Sequence, residues 1–369
     1  MTSLISVRRN RQSNLELLRC LAMFFILLVH ACYFTLGIPD HITAQTKPLD
    51  SFTQMFLESL SIVGVDVFVL ISGWFGIHPK LKSITNFIFQ CLFFSVGIYI
   101  VALISGISNL TIKHLAELFY LLKINWFIKA YIGLYIIAPL LNTFIEHSSR
   151  RLLEQVLLWF YIFQTIYGWF SGGAFFFEQG YSTHSFVGLY LLAGYIRRYT
   201  PKWSTLPKRI DLIVYATLTV VLSIICFSAI YSFDAIDGSI GKYVVGGVVR
   251  LQTSYISPAV IAASVALLLF FSKLSLSSMF INWMGASTFA VFLIHGNTNV
   301  TPYFQDFIRS MHNGLGYFEY YVYTFLFLLV VFFASIFLDQ IRIITWQYIW
   351  PVIERLPGKK SRGEEREKK

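Results

Sequence analysis

Charged residues are scarce in this sequence: they make up 13% of its 369 residues, whereas hydrophobic residues make up 56%. The mean hydropathy is +0.64. This composition excludes a soluble globular domain, in which about a quarter of the residues are charged. Long apolar runs recur from one end of the chain to the other. The sequence therefore predicts an all-α, polytopic bundle of transmembrane helices in a lipid bilayer.

Cysteine is also rare, and its placement excludes the usual metal motifs. All four cysteines fall within apolar runs, and none has metal-ligand spacing: Cys20, Cys32, Cys91 and Cys226. Buried thiols that pack as small hydrophobic groups explain this distribution better than a metal site does. The sequence thus predicts no metal. It also contains no internal repeat of useful strength and no appended soluble domain.

A concentrated basic patch is likewise missing, although the net charge is +10. The lysines and arginines are dispersed among short loops, which argues against a nucleic-acid partner. Their distribution indicates instead which loops lie on the cytoplasmic side of the membrane. We expect ten membrane-spanning helices, at approximately residues 15–36, 54–76, 84–105, 126–145, 152–170, 184–199, 210–231, 255–272, 279–296 and 322–345.

The loop charges indicate how these ten helices are oriented. If the sides alternate from a cytoplasmic start, the inner loops and the tail contain most of the basic residues, among them Arg8, Arg9, Arg11, Lys80, Lys82, Arg150, Arg151, Arg197, Arg198, Lys202, Lys208, Arg209 and Lys273. The outer loops contain only Lys47, Lys113, Lys123, Lys242, Arg250 and Arg309. Basic residues favour the cytoplasmic side, so both termini are predicted to be cytoplasmic. The first helix is expected to be an uncleaved anchor, and residues 351–369 a charged, disordered tail.

The first predicted helix contains two ionisable residues, Arg19 and His30. Their spacing of eleven residues is three helical turns plus roughly 20°, so both side chains point the same way, ~16 Å apart along the axis. Ionisable residues inside a span are costly and usually face a bundle interior or a wet cavity. Each residue also has an alternative interpretation. Arg19 would then extend to the lipid headgroups without a further role, and His30 would be a hydrogen-bonded histidine that only packs.

Later helices add further polar residues. Asp66 is expected near the middle of the second span, at a depth comparable to that of His30, where a carboxylate would fix the imidazole tautomer and support general-base action. Its alternative is a pairing with some other buried donor. Trp126 and Lys129 lie near the outer end of the fourth span, and His295 lies at the outer end of the ninth. Lys129 has the alternative of reaching to the membrane surface.

Five blocks of this sequence resemble, in the same order, those of the integral-membrane acyltransferases of acyltransferase family 3. Arg19 and His30 match the R-x10-H signature of that family. The other four blocks are GVDVFVLISGWFG (64–76), WFIKAYIGLYIIAPLLN (126–142), GLYLLAGYIRRY (188–199) and STFAVFLIHGN (287–297). The similarity covers nearly the whole chain, which we divide into an acyltransferase domain over residues 1–350 and the tail.

The resemblance implies an enzyme of the bacterial cytoplasmic membrane. It would transfer an acyl group, most often acetyl from acetyl-coenzyme A, to a hydroxyl of an extracytoplasmic glycan or lipid-linked glycan. Arg19 would steady the donor, His30 would accept the hydroxyl proton or relay the acyl group, and Asp66 would orient His30. Trp126, Lys129 and His295 would then contact the acceptor.

One feature departs from the family pattern. Relatives often have arginines just after the second helix, where this chain has His78, Lys80 and Lys82. Lysine also binds phosphate, but without the bidentate fork of arginine, so Lys80 and Lys82 are predicted to contact coenzyme A as point charges.

Two other functions fit the buried polar residues. A proton-coupled transporter or glycan flippase would also use buried Arg, His and Asp, although the paired repeats common in transporters are not found in this sequence. A receptor or scaffold without chemistry would leave the alignment of Arg19 with His30 unexplained. Consumption of acetyl-coenzyme A by the purified protein would distinguish the enzyme from both.

Overall fold

A computed structural model describes residues 11–111, 125–170, 177–233 and 238–355. The regular structure of these residues is helical throughout. The α-helices are α1 Ser13–Ala31, α2 Tyr33–Leu36, α3 His41–Thr46, α4 Pro48–Ser61, α5 Gly64–Phe75, α6 Leu81–Ile104, α7 Trp126–His147, α8 Arg150–Phe163, α9 Thr183–Tyr199, α10 Lys208–Tyr231, α11 Gly238–Thr253, α12 Pro258–Ser272, α13 Met279–His295, α14 Thr301–Gly314 and α15 Tyr317–Arg355. Helix α8 continues as a π-helix, Gln164–Phe170.

The prediction of a polytopic helical membrane bundle is confirmed. A helix lies at each of the ten predicted spans. Most ends differ by a few residues, but α4 already begins at Pro48, before the predicted 54, and α15 continues to Arg355, beyond the predicted 345. Among the described residues, seven helical segments are long and apolar enough to cross a membrane, and α13 is a shorter apolar helix. The second predicted span is divided in the structure, since α4 ends at Ser61 and α5 begins at Gly64.

The structure also contains helices where the sequence predicted loops. The clearest is α14, which lies within the segment 297–321 that was expected to be irregular. Its buried residues are Phe304, Ile308 and Met311, which recur at intervals of four and three and therefore share one helix face. Most of the exposed residues of α14 are polar, and the aromatic residues Tyr303 and Phe307 are exposed as well. Such a helix covers the bundle end without crossing the membrane, which explains why a search for long apolar runs overlooked it.

Helix α1 lies at the centre of the bundle, packed against α4, α5, α12 and α13. Two glycines of α5 permit unusually close helix contacts. A Cβ atom at Gly64 would lie 2.7 Å from the carbonyl oxygen of Ala22 in α1, and one at Gly73 would lie 2.4 Å from that of Tyr190 in α9. Helix α5 is therefore held tightly between α1 and α9.

The C-terminal helix α15 contains a buried ion pair that the sequence analysis did not single out. Nη2 of Arg342 donates to a carboxylate oxygen of Asp339 at 2.7 Å, and Gln90 in α6 donates to the other oxygen of Asp339 at 3.1 Å. This network joins α6 to α15. The helix continues to Arg355, beyond the boundary at 350 that was predicted for the domain; residues 356–369, the rest of the predicted tail, lie outside the described residues.

Candidate active site

The site is organised by the bond between His30, at the end of α1, and His295, at the end of α13. Nδ1 of His30 lies 2.7 Å from Nε2 of His295, and Nδ1 of His295 lies 2.6 Å from the carbonyl oxygen of Val291. His295 is only 2% exposed. Helices α1 and α13 pack along each other, and both histidines are the last or nearly the last residue of their helix, which brings the two rings together.

The hydrogen-bond partners determine the tautomers of both histidines. A carbonyl oxygen only accepts, so Nδ1 of His295 carries a proton and donates to Val291. In a neutral His295, Nε2 then has a lone pair and accepts from Nδ1–H of His30. His30 is consequently left with a basic lone pair on Nε2. This is the arrangement of a general base whose ring is oriented by a second group.

His30 also lines a small cavity of about 20 Å³. The other lining residues are Met23, Ile26, Phe34, Val65, Phe68, Trp126, Phe127, Tyr255 and Phe292. A space of this size accommodates about one water molecule or the oxygen of one hydroxyl group. The structure thus brings His30, Trp126 and Tyr255 to one cavity, with His295 bonded to His30 behind it. The sequence had assigned His295 to the acceptor together with Trp126 and had not paired it with His30.

The predicted pairing of Asp66 with His30 is wrong, since His30 is bonded to His295. Asp66 is 1% exposed, and neither of its carboxyl oxygens has a hydrogen-bond partner among the described residues. Its electrostatic neighbours include Tyr161 and Tyr255. The prediction assumed one continuous helix over 54–76. The break before Gly64 places Asp66 in the first turn of α5, where the helix dipole favours a carboxylate.

Arg19 is paired with an acidic residue that the sequence analysis did not consider. Nη1 of Arg19 lies 2.7 and 2.6 Å from the two carboxylate oxygens of Glu16, and Arg11 lies 3.2 Å from the same carboxylate. Glu16 is buried against Gly285 of α13, where a Cβ atom would lie 2.3 Å from a Glu16 oxygen. Arg19 is therefore held by a buried partner, and it is not a free cation reaching to the headgroups.

The loop after α5 presents Lys80 and Lys82 at the opposite end of the bundle from His30. Its backbone is fixed by Tyr190, whose hydroxyl accepts from the amide of Ile77 at 2.6 Å, and by Asn142, which donates to the Ile77 carbonyl at 2.8 Å. Both lysine side chains are exposed, and the Lys82 ammonium lies 5.2 Å from the centre of the Trp350 ring. The loop thus offers positive charge on a rigid backbone.

A family model described as an acyltransferase domain matches residues 12–339. The match includes α1 with Arg19 and His30, and it extends beyond α13 with His295. The chain belongs to this acyltransferase family. No curated protein and no solved structure matches it. Membership in the family supports a multi-pass membrane acyltransferase.

Not every predicted site residue of this acyltransferase lies at the cavity. Lys129 is exposed and does not line the cavity, whereas its neighbours Phe127, Ile128 and Ala130 are buried. The side chain of Lys129 therefore lies on the exposed face of α7. This is expected, because burying an ammonium group without a partner is costly. The described residues also contain no group of three His, Cys, Asp or Glu side chains that could hold a metal ion.

The sequence analysis missed two functional candidates in the acyltransferase, Glu16 and Glu58. Glu16 lies three residues before Arg19, a spacing that joins side chains on one helix face and that could have revealed the pair. Glu58 belongs to the second predicted span, where any carboxylate is exceptional. That signal was present in the sequence, but only the structure shows that Glu58 is buried.

Proposed function

We propose that this protein transfers an acyl group, most simply acetyl, from cytoplasmic acyl-coenzyme A to a hydroxyl group of an extracytoplasmic glycan or lipid-linked glycan in the bacterial cytoplasmic membrane. The single observation that carries the proposal is the chain from Val291 through His295 to His30, which leaves a basic nitrogen at a cavity sized for one hydroxyl group. Membership in the acyltransferase family supplies the reaction class.

In the proposed reaction, the acceptor hydroxyl attacks the carbonyl carbon of the donor thioester. Nε2 of His30 accepts the hydroxyl proton as the C–O bond forms. The C–S bond then breaks, and the proton passes from His30 to the leaving thiolate sulfur. His295 stabilises the imidazolium that exists between these events, because its Nε2 lone pair accepts from Nδ1–H of His30 throughout.

The donor would bind on the predicted cytoplasmic side. Lys80 and Lys82 are exposed on a rigid loop, which suits the phosphates of coenzyme A. Arg19 lies between that side and His30, ~16 Å from His30 along α1. Arg19 is already paired with Glu16, so we do not assign it to neutralising a phosphate. Its remaining N–H groups would instead position the acyl end of the donor.

The acceptor would approach from the other side, where Trp126 lies at the first turn of α7 and borders the His30 cavity. An indole ring stacks on the apolar face of a sugar, and the cavity then receives one of its hydroxyl groups. A proton-coupled transporter or flippase is the alternative function, and such a protein would not consume acetyl-coenzyme A.

The test is acyl transfer by purified protein in nanodiscs, with radiolabelled acetyl-coenzyme A and glycans extracted from the producing cells. We expect wild-type protein to label the glycan and His30→Ala to lose activity by roughly 10²-fold or more. His147→Ala is the matched control, since that histidine is exposed at the end of α7. Equal labelling by wild type and His30→Ala would refute the assignment of His30, and no consumption of acetyl-coenzyme A by wild type would refute the donor.

A further inference from the structure

Glu58 is a buried carboxyl group that the proposed mechanism leaves without a role. It lies in α4 and is 1% exposed, and neither of its oxygens has a hydrogen-bond partner among the described residues. Burial of a polar group without a partner destabilises a protein, and more so when the group is charged. Three other buried carboxylates in the described residues have cationic partners, Glu16, Asp211 and Asp339, whereas Asp66 shares with Glu58 the lack of a partner. Glu58 therefore differs from the carboxylates that serve the fold.

The surroundings of Glu58 are aromatic side chains with hydroxyl groups. Tyr33, Tyr181 and Tyr255 all interact electrostatically with its carboxyl group. Tyr181 and Tyr255 have ring centres 5.3 Å apart, and their hydroxyl groups interact with each other. Tyr33 and Tyr181 retain partial exposure, whereas Glu58 does not. The carboxyl group thus lies at the buried end of this aromatic cluster. The other end, at Tyr33 and Tyr181, is partly exposed.

This cluster is continuous with the His30 cavity. The Trp126 ring centre lies 4.4 Å from that of Tyr181 and 5.9 Å from that of Tyr255. Trp126 and Tyr255 are also lining residues of the cavity that contains His30. A molecule bound against the aromatic rings would therefore have one edge towards Glu58 and another towards His30.

We propose that Glu58, Tyr33, Tyr181, Tyr255 and Trp126 form the binding subsite for the acceptor sugar ring. The inference rests on the proposed function and names the part of the acceptor that is recognised. The carboxyl group of Glu58 accepts hydrogen bonds from two hydroxyl groups of the ring, which supplies the partners that its oxygens lack. The aromatic rings contact the apolar face of the sugar.

The chemistry of the subsite also defines the class of sugar. The five residues of the subsite include no cationic side chain that would pair with an anionic substituent, whereas their carboxyl and hydroxyl groups form hydrogen bonds with sugar hydroxyl groups. The residue that is acylated is thus a neutral sugar with at least one free hydroxyl group beside the reacting one, and not a uronic acid or a phosphorylated sugar.

The experiment measures sugar binding separately from acyl transfer. Methyl glycosides of neutral hexoses and of hexuronic acids are titrated by calorimetry into purified protein in nanodiscs, without any acyl donor. We expect wild type to bind a neutral glycoside, and Glu58→Gln to bind it at least about tenfold more weakly, as the loss of a hydrogen bond to a carboxylate predicts. Glu319→Gln, at the start of α15, is the matched control.

A second variant covers the case in which Glu58→Gln does not fold. Tyr181→Leu removes one aromatic wall and leaves Glu58 in place, and it should also weaken glycoside binding several-fold while binding of acetyl-coenzyme A stays as in wild type. Unchanged glycoside affinity in both Glu58→Gln and Tyr181→Leu would overturn the inference, as would stronger binding of hexuronic acids than of neutral sugars. Glycoside binding that depends on Glu58, without any consumption of acetyl-coenzyme A, would support the subsite and refute the proposed function.

Discussion

Nε2 of His295 accepts a hydrogen bond from Nδ1 of His30 over 2.7 Å, and this bond joins two residues that are 265 positions apart in the chain. In the proposed reaction, His30 is the base, and His295 would orient the His30 ring and stabilise its protonated form. Its own orientation is fixed by Val291, one turn earlier in α13. Replacement of His295 should therefore impair catalysis in a manner that depends on the hydrogen-bonding capacity of the new side chain.

We expect His295→Ala to lower the rate of acyl transfer by roughly 10- to 100-fold, the usual cost of losing an orienting partner. His295→Gln should recover part of that loss, because its side-chain oxygen is placed to accept from Nδ1–H of His30. The measurement is the transfer rate at saturating donor for both variants. Equal loss in Ala and Gln variants would show that His295 contributes through packing alone.

Donor binding should depend on the residues near the predicted cytoplasmic side and not on His295. In calorimetric titrations of coenzyme A, we expect Arg19→Ala, Lys80→Ala and Lys82→Ala each to weaken binding by about threefold to tenfold, with a smaller difference at high salt for the two exposed lysines. His295→Ala should bind coenzyme A as wild type does. The same loss of affinity in Arg19→Ala and His295→Ala would contradict the separation of donor and acceptor sides.

Lys208→Ala is the control for those lysine variants, since Lys208 is exposed at the start of α10 and has no role in the proposed site. Arg19→Lys provides a further comparison. It keeps the charge that pairs with Glu16, which Arg19 contacts through Nη1 alone, but it loses the remaining guanidinium N–H groups that we assign to the donor, so activity should remain strongly reduced.

Gly285→Ala should destabilise the protein, because the added Cβ atom would lie 2.3 Å from a carboxylate oxygen of Glu16. Overpacking of this kind costs about 1–3 kcal/mol, and here it also disturbs the pair between Glu16 and Arg19. Gly97→Ala in α6 is the matched control: nothing lies within 4 Å of its Cβ position, and alanine favours the helix. Thermal unfolding in detergent should give a lower Tm for Gly285→Ala and an equal or higher Tm for Gly97→Ala.

Topology is testable by cysteine labelling, because all four native cysteines are buried and free. Ile38→Cys lies in the exposed turn after α2, and Lys208→Cys lies at the start of α10. A membrane-impermeant maleimide should label Ile38→Cys in intact cells and Lys208→Cys only after permeabilisation. Labelling of both in intact cells would reject the orientation derived from the loop charges.

The sequence by itself determined the class of this protein and the approximate positions of its long apolar helices. Runs of about 20 apolar residues form helices in a bilayer, because every backbone N–H and C=O group must find its hydrogen-bond partner within the segment. The same local reasoning placed Arg19 and His30 on one face of α1, because helical periodicity is a property of the segment alone. It also brought Trp126 and His295 into consideration through the resemblance to the acyltransferase family.

Only the tertiary structure decided which polar groups are partners. His30 is bonded to His295 and not to Asp66, and both carboxyl oxygens of Asp66 have no hydrogen-bond partner among the described residues. No periodicity in the sequence indicates which buried polar group of another helix His30 meets. The burial of Glu58 likewise depends on several helices at once. Pairings between helices follow from rotations and close contacts, such as that at Gly285, which are set by packing across hundreds of residues and not by any local pattern.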